Sequence, residues 1–180
     1  SSEQKAELTE LCQEIDNAGV IDYVAGWYYK AAELTRFIPD LEFAYVSTNS
    51  ITQGRQVAPL FGYLFSKELH IQFAHQTFKW TNEAKGNAGV YCVVIGMCRN
   101  KGRTRKLFTY TKPTSDPISF NVSEINAYLT EGNEETFVQE SDKPLSKVLP
   151  MNFGNMANDN GNLIIEAMDL DDFLQYEDLK

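Results

Sequence analysis

Two aromatic side chains, Phe78 and Trp80, are the residues of this chain best suited to chemistry on a flat ligand. They sit in FAHQTFKWTNEAKGNAGVYCVVIGM, residues 73–97, ahead of the apolar run Val90 to Met97. With Thr81, Asn82 and Glu83 they make an aromatic, polar loop at the mouth of a buried strand. A ring exposed there can stack on a nucleobase, since every base offers a π-face. The competing reading folds both rings back onto the core.

Polar candidates lie elsewhere in the chain. Asn49, Thr52 and Gln53 follow the strand-like LEFAYVS (41–47), and open α/β sheets collect site groups just past a strand's carboxyl end. Asn49 and Ser50 could equally cap the helix that comes next. Arg55, at that helix start, suits a phosphate or a surface salt bridge. Arg99, Lys101, Arg103, Arg105 and Lys106 form a basic run able to touch a phosphate backbone, or a solvated hairpin loop. His75 reads as structural, and Trp27 and Tyr28, at helical spacing, read as core.

The elements that must position these residues follow from periodicity. Leu8, Leu11, Cys12 and Ile15 share one face of a helix over 2–16. Asp22 reads as the N-cap of a second helix with Val24, Trp27, Tyr28, Ala31 and Leu34 on its apolar face. The strand Leu41 to Ser47 comes next, then a third helix from Arg55 to Lys67. Strands at 70–75, 90–97 and 106–110 follow, the last two expected to pair as a hairpin across the basic turn. This order predicts the closing part of a mostly parallel α/β sheet that ends in antiparallel strands. Beyond Lys112–Pro117 the signals turn irregular. MNFGNMANDNGN (151–162) reads as a Gly/Asn loop, and residues 169–176 as a short acidic helix.

Bulk properties narrow the class. The chain has 180 residues, 43% hydrophobic and 12% aromatic, which suits a globular protein with a sizeable core. No run approaches the roughly 20 apolar residues of a membrane span, and the polar start SSEQKAELTE is not a targeting segment. Three cysteines without a CxxC pair read as reduced core thiols of a cytosolic protein, and two histidines are too few for a zinc site. The net charge of −9 is concentrated after residue 122, so it does not exclude nucleic acid as a partner of the first part. No strand precedes the first helix and no G-x-G-x-x-G or Walker sequence occurs, so the chain is expected to be part of a longer protein.

Four blocks then occur in a recognisable order: IDYVAGWYYKAAEL (21–34), FAYVSTNSITQGRQVAPLF (43–61), HIQFAHQTFKWTNEAKGNAGVYCVVIGM (70–97) and PLSKVLPMNFGNMANDNGNLII (144–165). In this the chain resembles the MmeI-like DNA methyltransferases, large single-chain restriction–modification enzymes. The resemblance covers nearly the whole length. It implies the C-terminal half of a Rossmann-like class I methyltransferase sheet over residues 1–117, then a linker and the start of a target-recognition domain over 118–180.

It also implies an N6-adenine activity dependent on S-adenosylmethionine, double-stranded DNA as partner, and a bacterial cytoplasmic location. The family's Asn-Pro-Pro and cofactor-binding motifs are absent here, so the resemblance implies no cofactor or catalytic residue in this chain and no activity from it alone. By the same token, Trp80 or Phe78 would stack on the flipped adenine, Trp80 being favoured for its larger face and N–H. Asn49, Gln53 and Asn82 would contact the target nucleotide, and Arg55, Arg103 and Arg105 would bind DNA phosphates. An isolated half-sheet exposes apolar edges, which allows a homodimer.

Two other functions remain open at this point. One is a non-enzymatic module that binds single-stranded nucleic acid or a protein through the Phe78/Trp80 loop. The other is an acidic tail acting as a DNA mimic on the basic surface.

Overall fold

The computed structural model describes residues 2–80, 89–100, 102, 104–138, 146–148 and 168. The chain divides into two units, Ser1–Glu140 and Ser141–Lys180. Of the second, the described part includes a turn closed by Val148 N–H on the Ser146 carbonyl at 2.8 Å. The expected loop over 151–162 and helix over 169–176 lie outside the described residues.

Among its described residues the first unit has a five-stranded sheet and three α-helices. In chain order these are α1 (Ser2–Leu11), α2 (Ala25–Leu34), β1 (Phe43–Thr48), α3 (Val57–Ser66), β2 (His70–Trp80), β3 (Val90–Cys98), β4 (Arg105–Thr109) and β5 (Ile118–Val122). Across the sheet the order is β1-β3-β2-β4-β5. Strand β3 runs antiparallel between β1 and β2, β2 pairs in parallel with β4, and β5 closes the edge antiparallel to β4. Strands β1, β2 and β4 thus share one direction, as a mostly parallel sheet requires. Three of the four neighbouring pairs are nonetheless antiparallel, because β3 is inserted between two strands of the common sense and β5 closes the edge against the direction of β4.

The hairpin is formed by β2 and β3, not by β3 and β4 across the basic turn. Strand β4 lies on the far side of β2, where Leu107 registers with Ala74 and both are buried. Strand β5 carries the sheet past the expected division at 117; its alternation of Ile118, Phe120 and Val122 with Ser119 and Asn121 is a strand signal that the expected division did not use.

One face of the sheet meets the helices. Val93, Ile95 and Met97 alternate along β3 and are buried against a cluster that includes Leu8, Tyr28, Leu60, Phe61 and Leu64, as period-2 alternation on a one-sided sheet dictates. Tyr28 also keeps its hydroxyl satisfied, 3.1 Å from Ser47 Oγ of β1, and burial pushes its ionisation well above the ordinary value. This ties α2 to the sheet.

The face of α2 matches the expected one in part: Tyr28 and Ala31 are buried, Trp27 and Leu34 are not. The helix buries Ala25, Tyr28, Tyr29 and Ala32, an i, i+3, i+4, i+7 stripe. Trp27 falls outside that stripe and is 57% exposed, its ring 5.7 Å from Lys30 Nζ. Leu34 is likewise exposed. Asp22 is not the cap of α2; the flanking residue is Val24, which makes no side-chain cap bond.

The three cysteines are free and buried. Desolvation pushes the Cys12 thiol from its ordinary 9.0 up to about 11. Native Cys12 should therefore resist iodoacetamide at pH 8, where the unfolded chain reacts readily, since the thiolate is the nucleophile. A folded-state value raised in this way means that the neutral thiol's contribution to stability is complete below 9.0 and is lost as pH climbs through about 11. Equal labelling rates with and without denaturant, read by mass spectrometry, would contradict this.

Candidate nucleic-acid interface

Strand β2 carries the rings, and two irregularities decide where they point. The register with β3 slips between Ile71 and Phe73 and again between His75 and Phe78. Strict alternation from His75 would turn Phe78 toward the helices. The extra residue at the second bulge places it on the same face as His75, which is a known use of bulges. The result is a ladder on the face away from the helices. Ring centroids are 6.5 Å apart for Phe73 and His75, 6.4 Å for His75 and Phe78, and 6.2 Å for Phe78 and Trp80.

Phe73 fits because Gly96 lies opposite it; a Cβ there would collide with the ring. Phe108 of β4 stacks on His75 at 4.1 Å and 2°, and Tyr110, just past β4, stacks on Phe78 at 5.4 Å and 27°. Tyr110 Oη also lies 2.8 Å from His75 Nδ1. Burial holds His75 below and Tyr110 above their ordinary values, so this is a bond between neutral partners near pH 7.

Phe78 and Trp80 therefore belong to a strand rather than a loop, and neither is sealed in the core. Phe78 is half-buried with Tyr110 on its flank. Trp80 ends the ladder and is 49% exposed. A hollow of about 250 Å³ adjoins the bulge, lined by Thr52, Gln76, Thr77, Tyr110 and Tyr128 among others.

The turn after β1 lies at the same edge. Cys92 of β3 registers with Thr48 on one side and Phe78 on the other, so only β3 separates that turn from the rings. Asn49 opens the short 3-10 turn Asn49–Thr52 and is half-buried. Gln53 is exposed and extended. Neither Asn49 nor Ser50 caps α3, whose flanking residue is Gln56.

What holds this turn is a polar network without a local sequence signature. Asp22 N–H donates to Gln56 Oε1 at 2.9 Å, and Gln56 Nε2 donates to Asp22 Oδ2 at 3.0 Å and to the Ser50 carbonyl at 2.8 Å. Ser50 Oγ donates to Asp22 Oδ2 at 2.8 Å. The residue types were visible, but their spacing of 34 positions carries no local signal.

The basic candidates fare differently. Arg105 is buried and its guanidinium is paired with the Glu134 carboxylate, so it is not a phosphate ligand. Burial of an arginine is tolerated only with such a partner. Arg103, Asn82 and Glu83 lie outside the described residues. Arg55 is exposed and lines a wider hollow of about 920 Å³ together with Glu14 and Asp16. Two carboxylates make that hollow a poor host for DNA phosphates.

The family profile described as "MmeI, DNA-methyltransferase domain" matches residues 1–109. This chain belongs to that family. The profile for the MmeI target recognition domain matches residues 132–179, which bears out the resemblance read from the four blocks. "DNA methyltransferase A" of Bacillus subtilis (strain 168) is 35% identical over 173 residues, 96% of this chain and 19% of that relative.

A solved structure of the Type IIL restriction-modification enzyme MmeI in complex with DNA is 36% identical, with a TM-score of 0.85 over 97% of this chain and 23% of that one. The mixed α/β sheet is thus the MmeI methyltransferase fold. The chain spans about a fifth of the length of these two proteins.

Proposed function

We propose that this chain is the target-base side of an adenine-N6 DNA methyltransferase, with Trp80 as the surface on which an extruded adenine stacks. An exocyclic amine inside a duplex is out of reach of any active site, so the base must leave the helix and be held by stacking. The observation that carries the reading is the aromatic ladder of a DNA-methyltransferase family member ending on a half-exposed indole. That indole sits at the carboxyl edge of the sheet, where open α/β folds bind their ligands.

Trp80 is favoured over Phe78 because one flank of Phe78 is already occupied by Tyr110, while a stacking platform needs a free face. Tyr110 and His75 back the ladder. Asn49 and Gln53, in the turn that follows β1 one strand away, are the polar groups assigned to meet the base edge or its phosphate.

The described residues offer no cradle for the S-adenosylmethionine that such a transfer consumes. The turn between β1 and α3 has one glycine, Gly54 with φ +66, and no glycine-rich phosphate- or nucleoside-binding turn joins any described strand to a helix. No part of the donor's binding is therefore assigned to this chain, and the 180 residues alone are expected to transfer no methyl group.

The test is to incubate duplex DNA and isotopically labelled S-adenosylmethionine with the complete gene product, and separately with the 180-residue chain. Nucleoside analysis should find label in N6-methyladenine for the former and none for the latter. Label in cytosine, or no label with the complete product, would overturn the reading.

A further inference from the structure

The two family matches leave residues 110–131 between them, and Glu134 belongs to the second. Its side chain nevertheless sits deep in the methyltransferase unit. One carboxylate oxygen lies 2.7 Å from His70 Nδ1 and the other accepts from Arg105 Nη1. The three side chains are 5%, 10% and 3% exposed for His70, Glu134 and Arg105. His70 opens β2 and Arg105 opens β4, the one parallel pair of the described sheet.

The backbone around Glu134 is held as firmly. Asn126 Oδ1 accepts from the N–H groups of Tyr128 and Thr130 at 3.0 and 3.2 Å and from Thr130 Oγ1 at 3.1 Å. Leu129 is buried, and its carbonyl accepts from Gln76 Nε2 at 2.8 Å. On the other side of Glu134, Phe137 packs on Phe65 of α3 at 6.1 Å.

An apolar contact would hold this segment down but would tolerate sliding. A buried carboxylate shared between a buried guanidinium and a buried imidazole accepts one position only, because any shift strands a charge out of water. Fixing register is the best-attested use of such groups. Both strands that begin at this cluster lead to the ladder: β2 ends on Phe78 and Trp80, and β4 runs into Tyr110.

We propose that the His70–Glu134–Arg105 cluster is the joint that fixes the start of the recognition segment on the methyltransferase sheet, and that Glu134 is thereby a positioning residue for methylation at the recognised sequence. This rests on the function proposed above. The joint works by rigid placement at one end of the two strands whose other ends present the rings, without a relay of conformational change.

The test uses the complete gene product with Glu134→Gln, which keeps the shape and removes the charge, beside Leu60→Ala, a truncation of a buried core side chain that is no member of the joint. Methylation of a duplex carrying the recognition sequence is measured at a temperature where both variants are folded. Glu134→Gln should lose tenfold or more in kcat with KM for DNA within twofold of wild type, and amides 125–137 should exchange faster while those of β3 do not. Leu60→Ala should keep kcat within twofold.

Equal kcat for Glu134→Gln and wild type, or the same loss in both variants, would overturn the proposal. Absence of methylation by the wild type sinks the parent reading instead. The exchange arm then judges the joint alone: selective loosening of 125–137 supports it, and unchanged protection overturns it.

Discussion

Glu134→Ala should destabilise the folded chain by about 3–5 kcal/mol, the usual cost of breaking a buried ion pair from one side. For a chain of this size that corresponds to a fall in thermal midpoint of roughly 6–20 °C. The loss would come less from the missing attraction than from what stays behind. Arg105 remains buried with no carboxylate, and its guanidinium cannot discard its proton. The cost should largely vanish when the whole cluster is made apolar, as in His70→Leu, Arg105→Met and Glu134→Leu combined, because no charge is then left in the interior. Denaturant titration of the three proteins decides the matter. A triple variant as unstable as Glu134→Ala would mean that packing volume, not the stranded cation, sets the cost.

That cluster also marks the limit of what the sequence discloses. Its members are separated by 29 and 64 positions, and nothing local distinguishes Arg105 from its basic neighbours. Read in one dimension, it joins Arg99 and Lys106 in a run suited to phosphate. Read in the fold, it opens a strand whose alternate residues, Arg105 and Leu107, are turned inward and buried.

Helices α2 and α3 and strands β1 and β3 were legible because apolar periodicity is a local property that burial enforces. Even so, α2 turned a partly different face to the core, with Tyr29 inside and Trp27 outside. An aromatic-rich helix fits more than one apolar stripe, and the packing of Ala25 and Ala32 selects one. Pairing partners were not legible at all, since whether β4 joins β3 or β2 depends on which edge is open once β1 has taken its place.

The candidate site shows the same division. Phe78 and Trp80 stand out by residue type, and neither ring is sealed in the interior: Trp80 is half exposed and Phe78 half-buried. That Phe78 shares a face with His75 depends on one extra residue in the register at 75–78, which no alternation pattern predicts. Without that bulge the ladder would break between His75 and Phe78, and Tyr110 would lose its stack on Phe78. The aromatic content was visible in the sequence; its continuity was not.

The separate roles of the two rings lead to the other large expected effect, for which the complete gene product is again the material. Trp80→Ala should reduce kcat/KM for DNA methylation by about 5- to 150-fold, the equivalent of the 1–3 kcal/mol that stacking contributes per base. Trp80→Phe keeps a π-face and should retain most of the rate. Phe78→Ala should also lower the rate, but for a different reason. It removes the ring between Tyr110 and Trp80 and opens a gap in the ladder, so its loss should come with reduced thermal stability, whereas that of Trp80→Ala, at a half-exposed site, should not.

Phenylalanine at 80 together with alanine at 78 tests the order of the rings: a supported platform predicts a greater loss than the two single changes added, because a smaller ring is then left unsupported. If Phe78→Ala abolishes methylation while Trp80→Ala leaves it within twofold, the base stacks on Phe78 and the indole is a bystander. If both alanine variants methylate at the wild-type rate, no base is held by this ladder.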